Sequence, residues 1–236
     1  MAYEYIQENL NAITERIRAA EAEAGREAGS VGMIAAVKYA DDGEIRALCE
    51  LGVRELGENR VQQLLAHYEA LGEAREGVRF HFIGSLQTNK VKYIIDKVAM
   101  IHSLDSERLA AEIEKQAAKR GIVMDVLVEI NSGEEENKGG LAPAEVEEFC
   151  ARLSEYPHLR LCGFMTMAPK CDKKEDYLKY FQRTYKQVLD IWTKKLHNIN
   201  RSEKPILSMG MSESFEEAIA SGSDLVRIGR GLFVRT

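Results

Sequence analysis

The sequence predicts a single (β/α)8 barrel, a TIM barrel with an extra N-terminal helix, and three observations carry that prediction. Eight short apolar runs each end in polar or glycine-rich residues, amphipathic stretches alternate with them, and the 236 residues lie near the ~250 typical of that architecture. Strict strand–helix alternation requires a parallel sheet, with a doubly wound open sheet as the competing arrangement. Seven amphipathic stretches separate successive strands and no room is left for one after the eighth. The N-terminal helix is therefore expected to cover the gap between strands eight and one. With 45% apolar and 30% charged residues, the chain has material for one sizeable core, and residues 1–236 are expected to form one domain.

In order, Ile6, Leu10, Ile13, Ile17, Ala20 and Ala24 recur at steps of three and four, one apolar helix face, which Gly25 and Gly29 end. The first strand, 31–37, ends on Lys38, and Asp41-Asp42-Gly43 opens an amphipathic stretch closing at Leu51-Gly52. The same unit recurs as 53–56 into Gly57-Glu58-Asn59-Arg60, 79–83 into Gly84-Ser85-Leu86-Gln87, and 100–104 into Asp105-Ser106. It continues as 124–130 into Asn131-Ser132-Gly133, 159–165 into Thr166-Met167-Ala168, 206–209 into Gly210-Met211-Ser212, and 225–228 into Gly229-Arg230. Among the helices, Leu178, Phe181, Tyr185, Val188, Trp192 and Leu196 form the most regular stripe, expected to pack on the sheet.

Composition excludes several functions. A net charge of −6 argues against nucleic acid, whose affinity rests on clustered Lys and Arg, while a small anion in a locally positive pocket stays compatible. Cys49, Cys150, Cys162 and Cys171 form no C-x-x-C pair, and with no apolar signal segment or ~20-residue apolar run the chain is expected to be cytoplasmic and not in a membrane. A polar surface without a spare apolar stripe leans to a monomer. His67, His81, His102, His158 and His197 show no metal-ligand spacing, so no metal site is expected, and His81 between Phe80 and Phe82 reads as a packed strand residue. Glu134-Glu135-Glu136 reads as a solvated turn. There is no Gly-x-Ser-x-Gly elbow for a hydrolase.

In a barrel the chemistry sits at the C-terminal ends of the strands. Alternation puts Ile34, Ala36 and Lys38 on one face; if that face is inward, the amine rises over small Ala36 into the mouth. A snorkelling edge lysine is the alternative. Ser208-Met209-Gly210-Met211-Ser212 and Arg227-Ile228-Gly229-Arg230-Gly231 occupy the loops that hold phosphate in many barrels. Ser214-Phe215-Glu216-Glu217 fits a capping box, which assigns the cap to Ser214 and leaves Ser212 for an anion. Gly229, on the face of Arg227, opens space above that arginine, with tight-turn geometry as the other reading.

Lys38, Gly57-Glu58-Asn59, His81-Phe82-Ile83-Gly84 with Leu86-Gln87, Asn137-Lys138, Gly163-Phe164-Met165-Thr166-Met167, Ser208-Met209-Gly210-Met211-Ser212 and Val226-Arg227-Ile228-Gly229 together resemble one family. It is the YggS/PROSC family of pyridoxal phosphate homeostasis proteins, and the resemblance runs in order along nearly the whole chain. It implies a fold type III barrel like the N-terminal domain of alanine racemase, with pyridoxal 5′-phosphate (PLP) held as a Schiff base on Lys38. It further implies Arg227 against the pyridine nitrogen, Ser212 and the Gly229-Arg230 backbone on the phosphate, Asn59 lining the cofactor and Met209 within the same set. Ser214, Asp224 and Val234 depart from the family pattern.

Three functions are then weighed: a PLP carrier and regulator that handles vitamin B6 without turnover, an amino-acid racemase, and a phosphate-binding barrel isomerase or lyase. Racemisation needs a base on each face of the reacting carbon; Lys38 serves one, and the tyrosine that alanine racemase takes from a second domain has no counterpart in this chain. The carrier is the expectation, with PLP-dependent apo-enzymes as partners. An isomerase would need Glu58 or Glu129 as base; Glu129 is expected to face its sheet neighbours or a helix, and neither glutamate shows a partner in the sequence.

Overall fold

The computed structural model describes residues 3–135, 138–194, 196 and 199–235. Helix α1 (Glu4–Glu23) leads into β1 (Gly32–Ala36), α2 (Asp42–Glu50), β2 (Glu55–Glu58), α3 (Val61–Leu71), β3 (Arg79–Phe82), α4 (Val91–Ile94) and β4 (Val98–Leu104). Then come α5 (Glu107–Arg120), β5 (Met124–Ile130), α6 (Val146–Arg152), β6 (Leu159–Thr166), α7 (Lys174–Lys194), β7 (Arg201–Met211), α8 (Phe215–Ala220), β8 (Leu225–Ile228) and α9 (Arg230–Phe233). The strands pair in parallel in chain order and β8 closes on β1, so the sheet is a closed barrel and not the open alternative.

Strand alternation divides the apolar residues into two layers. Ala35 and Val37 join the large core between sheet and helices, with Ile6, Ile13 and Ile17 of α1. Inside the barrel, Met100, Leu127, Cys162 and Met165 form a separate cluster. Ile34 turns inward, where a Cβ at Gly57 would lie 2.7 Å from its Cγ2. On β6 the register against β5 slips between Val126↔Leu161 and Leu127↔Gly163; this bulge lets Cys162 and Met165, three residues apart, both reach the interior.

Local chemistry sets several boundaries. Asp41 caps α2, its carboxylate accepting from the Glu44 N–H (2.8 Å) while Glu44 accepts from the Asp41 N–H (2.9 Å). Ser214 precedes α8 but makes no cap bond; its hydroxyl instead accepts from the Met211 N–H at 3.3 Å, so the expected capping box does not form. Strand β2 runs through Glu58, which the sequence puts in a loop, because Glu55 to Glu58 pair with Arg79 to Phe82. Strand β7 starts at Arg201 and not Ile206, since Arg201 already pairs with Leu161. A one-turn helix, α9, does follow β8: four residues suffice for it, and Asn9 of α1 donates to Leu232 O (3.1 Å) and Val234 O (2.9 Å) beyond it. Helix α1 packs on α8, α9 and α2 and so covers the β8–β1 gap as expected. Among the described residues no helix is long and apolar enough to cross a membrane.

Candidate functional site

Lys38 stands two residues beyond β1, partly buried, with Nζ 4.7 Å from the centroid of the exposed Tyr39 ring. Its carbonyl accepts from Gln63 Nε2 at 2.9 Å, which ties the loop to α3. The register Ala36↔Gly57 between β1 and β2, and Ile34↔Arg227 between β1 and β8, sets this loop beside the ends of β2 and β8. At Gly229 a Cβ would stand 3.2 Å from the Ala36 oxygen and 3.4 Å from its Cβ, so glycine there keeps the corner between β8 and β1 open. The lysine, Asn59 and Gly229 therefore share one end of the barrel.

Arg227 lies inside β8, 4% exposed. Its Nη1 donates to Ser208 O and Oγ, both at 2.7 Å, and its Nη2 to Thr166 O at 3.0 Å. Burial pulls its pKa down to about 10 while the Glu129 carboxylate pushes the other way, so the guanidinium stays charged at neutral pH. Asn59 follows β2, and Gly84 lets its backbone approach closely: a Cβ at Gly84 would come 2.7 Å from Asn59 Cα. Asn59 Oδ1 is buried and has no hydrogen-bond partner. A buried acceptor without a partner calls for an explanation, and a donor from a bound ligand is one.

Ser212 and the start of α9 make the third corner. Gly231 N–H donates to Ser212 Oγ at 3.4 Å, and the first-turn N–H groups of a helix lack partners within it. The Arg230 side chain turns outward to Glu213 Oε1 at 3.3 Å, so only its backbone faces the corner. Met209 is not brought to the site. Its side chain is wholly buried in the core outside the barrel, and its N–H and carbonyl are both engaged by the Ser223 hydroxyl, at 3.3 and 2.9 Å. Alternation along β7 turns it outward, since Ser208 beside it faces Arg227 inside the barrel. Asp224, a departure from the family pattern, accepts from the Leu207 N–H (2.9 Å) and Arg26 (3.2 Å), a structural role.

Two glutamates have surroundings that the sequence hides. Glu58 has a partner after all: its Oε1 lies 2.6 Å from His67 Nδ1 on α3, outside the barrel. Glu129 shares the inner face with Leu127 and not a helix, and burial, with Asp105 beside it, raises its pKa to about 7. The signal was available, since β5 carries Met124, Val126, Val128 and Ile130 on its outer face and leaves Asp125 and Glu129 on the other. His81 is also more than packing: its Nδ1 lies 2.9 Å from His102 Nε2. Lys138 pairs with Glu135 at 2.7 Å and Arg183 with Glu134 at 3.0 Å. Glu136, Asn137 and His197 lie outside the described residues. No metal-ligand cluster occurs among the described residues, and burial lifts the Cys150 and Cys162 thiols to about 12 and 11, away from thiolate chemistry.

An amine, a buried guanidinium and an amide–hydroxyl corner at the C-terminal end of the strands define a barrel whose polar groups gather where (β/α)8 barrels carry their sites. The family model for the alanine racemase N-terminal domain matches residues 6–236. A protein of Aquifex aeolicus named pyridoxal phosphate homeostasis protein is 43% identical over 226 residues, 96% of each chain. A structure from Bifidobacterium adolescentis, described as an unknown protein, superposes with a TM-score of 0.90 at 36% identity, covering 98% of this chain and 95% of that one. PipY of Synechococcus elongatus, solved with PLP bound, superposes at 0.80 with 26% identity, over 94% of this chain and all of PipY. This chain belongs to the alanine racemase N-terminal domain family, among the pyridoxal phosphate homeostasis proteins.

Proposed function

We propose that this chain binds PLP at the C-terminal end of the barrel and serves PLP homeostasis without turning over a substrate. The observation that supports the reading best is the register of β1 with β2 and β8, which sets the Lys38 loop beside the ends of the strands that carry Asn59 and Arg227. The names of the relatives and the PLP-bound neighbour support it. So does the fit of the residues: an orphaned buried acceptor on Asn59, and a glycine at 229 where a Cβ would crowd Ala36. When bound, PLP supplies an electrophilic aldehyde carbon and an electron-withdrawing ring.

Lys38 presents the amine to that carbon. Arg227 presents N–H donors to the ring nitrogen; a guanidinium has no lone pair and holds its protons at pH 7, so it leaves that nitrogen unprotonated. Ser212 Oγ and the Gly229-Arg230 backbone receive the phosphate, and Asn59 Oδ1 accepts from a ligand hydroxyl. We further read the protein as a cytoplasmic, one-domain monomer that passes PLP to apo-enzymes. Absorption spectroscopy and borohydride reduction test the core of this. Wild type is expected to turn yellow with PLP and to carry a borohydride-fixed mass on Lys38; Lys38→Ala is expected to lose that mass while keeping PLP through the phosphate corner. A fixed mass on Lys90, Lys92 or Lys138 would move the site elsewhere.

A second reading, an amino-acid racemase, draws on Glu129, whose carboxyl near pH 7 is suited to proton transfer at neutral pH.

A further inference from the structure

Behind the site, a line of hydrogen bonds crosses the barrel interior. Arg227 Nη1 lies 2.7 Å from Ser208 Oγ, which lies 3.2 Å from His102 Nδ1. His102 Nε2 is 2.9 Å from His81 Nδ1, and His81 Nε2 is 2.5 Å from Glu55 Oε2. Five residues on β8, β7, β4, β3 and β2 thus link Arg227 to a carboxylate at the opposite end of the barrel. Ser208, His102 and His81 are buried, and Glu55 reaches the surface.

With both imidazoles neutral, the two ends give every link one direction. A guanidinium only donates, so Ser208 Oγ accepts from Arg227, and in this order its hydrogen goes to the bare His102 Nδ1. His102 then carries its proton on Nε2 and donates to His81 Nδ1, and His81 donates from Nε2 to the Glu55 carboxylate. Both imidazoles are neutral in this order. Burial, with the charge of Arg227 adding to it, holds the His102 pKa well below the usual histidine value, in keeping with a neutral His102. Three of the five guanidinium N–H groups are spent on Ser208 and Thr166. The others are left for a ligand.

We propose that Glu55, His81, His102 and Ser208 are positioning residues for Arg227: a one-way chain that holds one edge of the guanidinium and aims its remaining N–H groups at the ring nitrogen of the ligand. The inference rests on the PLP reading above and deepens it. Its particular consequence is that breaking the chain hurts only ligands that own a ring nitrogen.

The test compares PLP with 1-deazapyridoxal 5′-phosphate, in which C–H replaces the ring nitrogen, by equilibrium binding to wild type and to Ser208→Ala. This small change removes the link between His102 and Arg227. Affinity for PLP is expected to fall about tenfold, the loss set by one hydrogen bond to a charged group, while the deaza compound loses less than about threefold. Wild-type binding with equal losses for both compounds, or with none, overturns this inference alone. Failure of wild type to bind either compound overturns the PLP reading and this inference with it. Ring ¹⁵N shifts of the unliganded wild type give a check that needs no variant: both histidines are expected neutral with the proton on Nε2. A proton on Nδ1 of either ring overturns the one-way order.

Discussion

Ser212 shows how much can turn on one hydroxyl. Two serines lie within three residues at the start of α8, and the sequence assigns the cap to Ser214 on a capping-box pattern. In the structure Ser214 turns back to the Met211 N–H, while Ser212 Oγ meets the Gly231 N–H at the start of α9. Ser212→Ala is expected to weaken PLP roughly tenfold or more, since a hydrogen bond to a charged group is worth ~1.5–3 kcal/mol, and to leave pyridoxal, which has no phosphate, unchanged. Equal weakening of both ligands would take Ser212 out of the phosphate corner. Glu58 acts on stability instead: its hydrogen bond raises the His67 pKa above 6.5 against the pull of burial. A raised folded-state pKa contributes stability that is fully present below 6.5 and is lost as pH rises through the raised value. Urea unfolding should therefore show Glu58→Gln less stable than wild type by about 1–2 kcal/mol at low pH, with a smaller difference at high pH. A difference that grows with pH would contradict the pairing.

At the scale of the element, β6 is the clearest case of a strand governed by one residue. Gly163 sits at φ 148°, and a Cβ there would lie 2.0 Å from the Ile206 oxygen on β7. Gly163→Ala is expected to lower stability by about 3 kcal/mol or more, because both the backbone conformation and the β6–β7 approach resist a side chain. A thermal midpoint equal to that of wild type would show that the bulge can relax. The sequence marked β6 by its apolar run but not its bulge, because the slip arises from pairing with β5 and β7. The same cause extends β2 through Glu58 and starts β7 at Arg201: strand ends are set by the neighbouring strand's hydrogen bonds, which local composition does not record.

For the whole molecule, the barrel brings one amine and one buried guanidinium to a common end, and the expected consequence is binding without turnover. In the proposed complex Arg227 would leave the ring nitrogen unprotonated and so weaken the electron sink. A second positioned base, worth ~10²–10⁴-fold, would be needed to offset this. Incubation with L-alanine in deuterated water, followed by NMR, is expected to show Cα exchange no faster than with free PLP. Exchange with D-alanine formation, lost in both Lys38→Ala and Glu129→Gln, would favour the racemase and give Glu129 the second role. The sequence alone pointed to the barrel, the covering role of α1 and the candidates Lys38 and Ser212, because periodicity and residue types can be read along one segment. The part given to Arg227 came from the family resemblance, and which face of β1 turns inward stayed open. It took the tertiary structure to show that Glu58 belongs to His67 and that His81 and His102 join Ser208 behind Arg227. Those contacts unite residues up to 106 positions apart, and their geometry comes from strand register and the curvature of a closed sheet, which no single segment encodes.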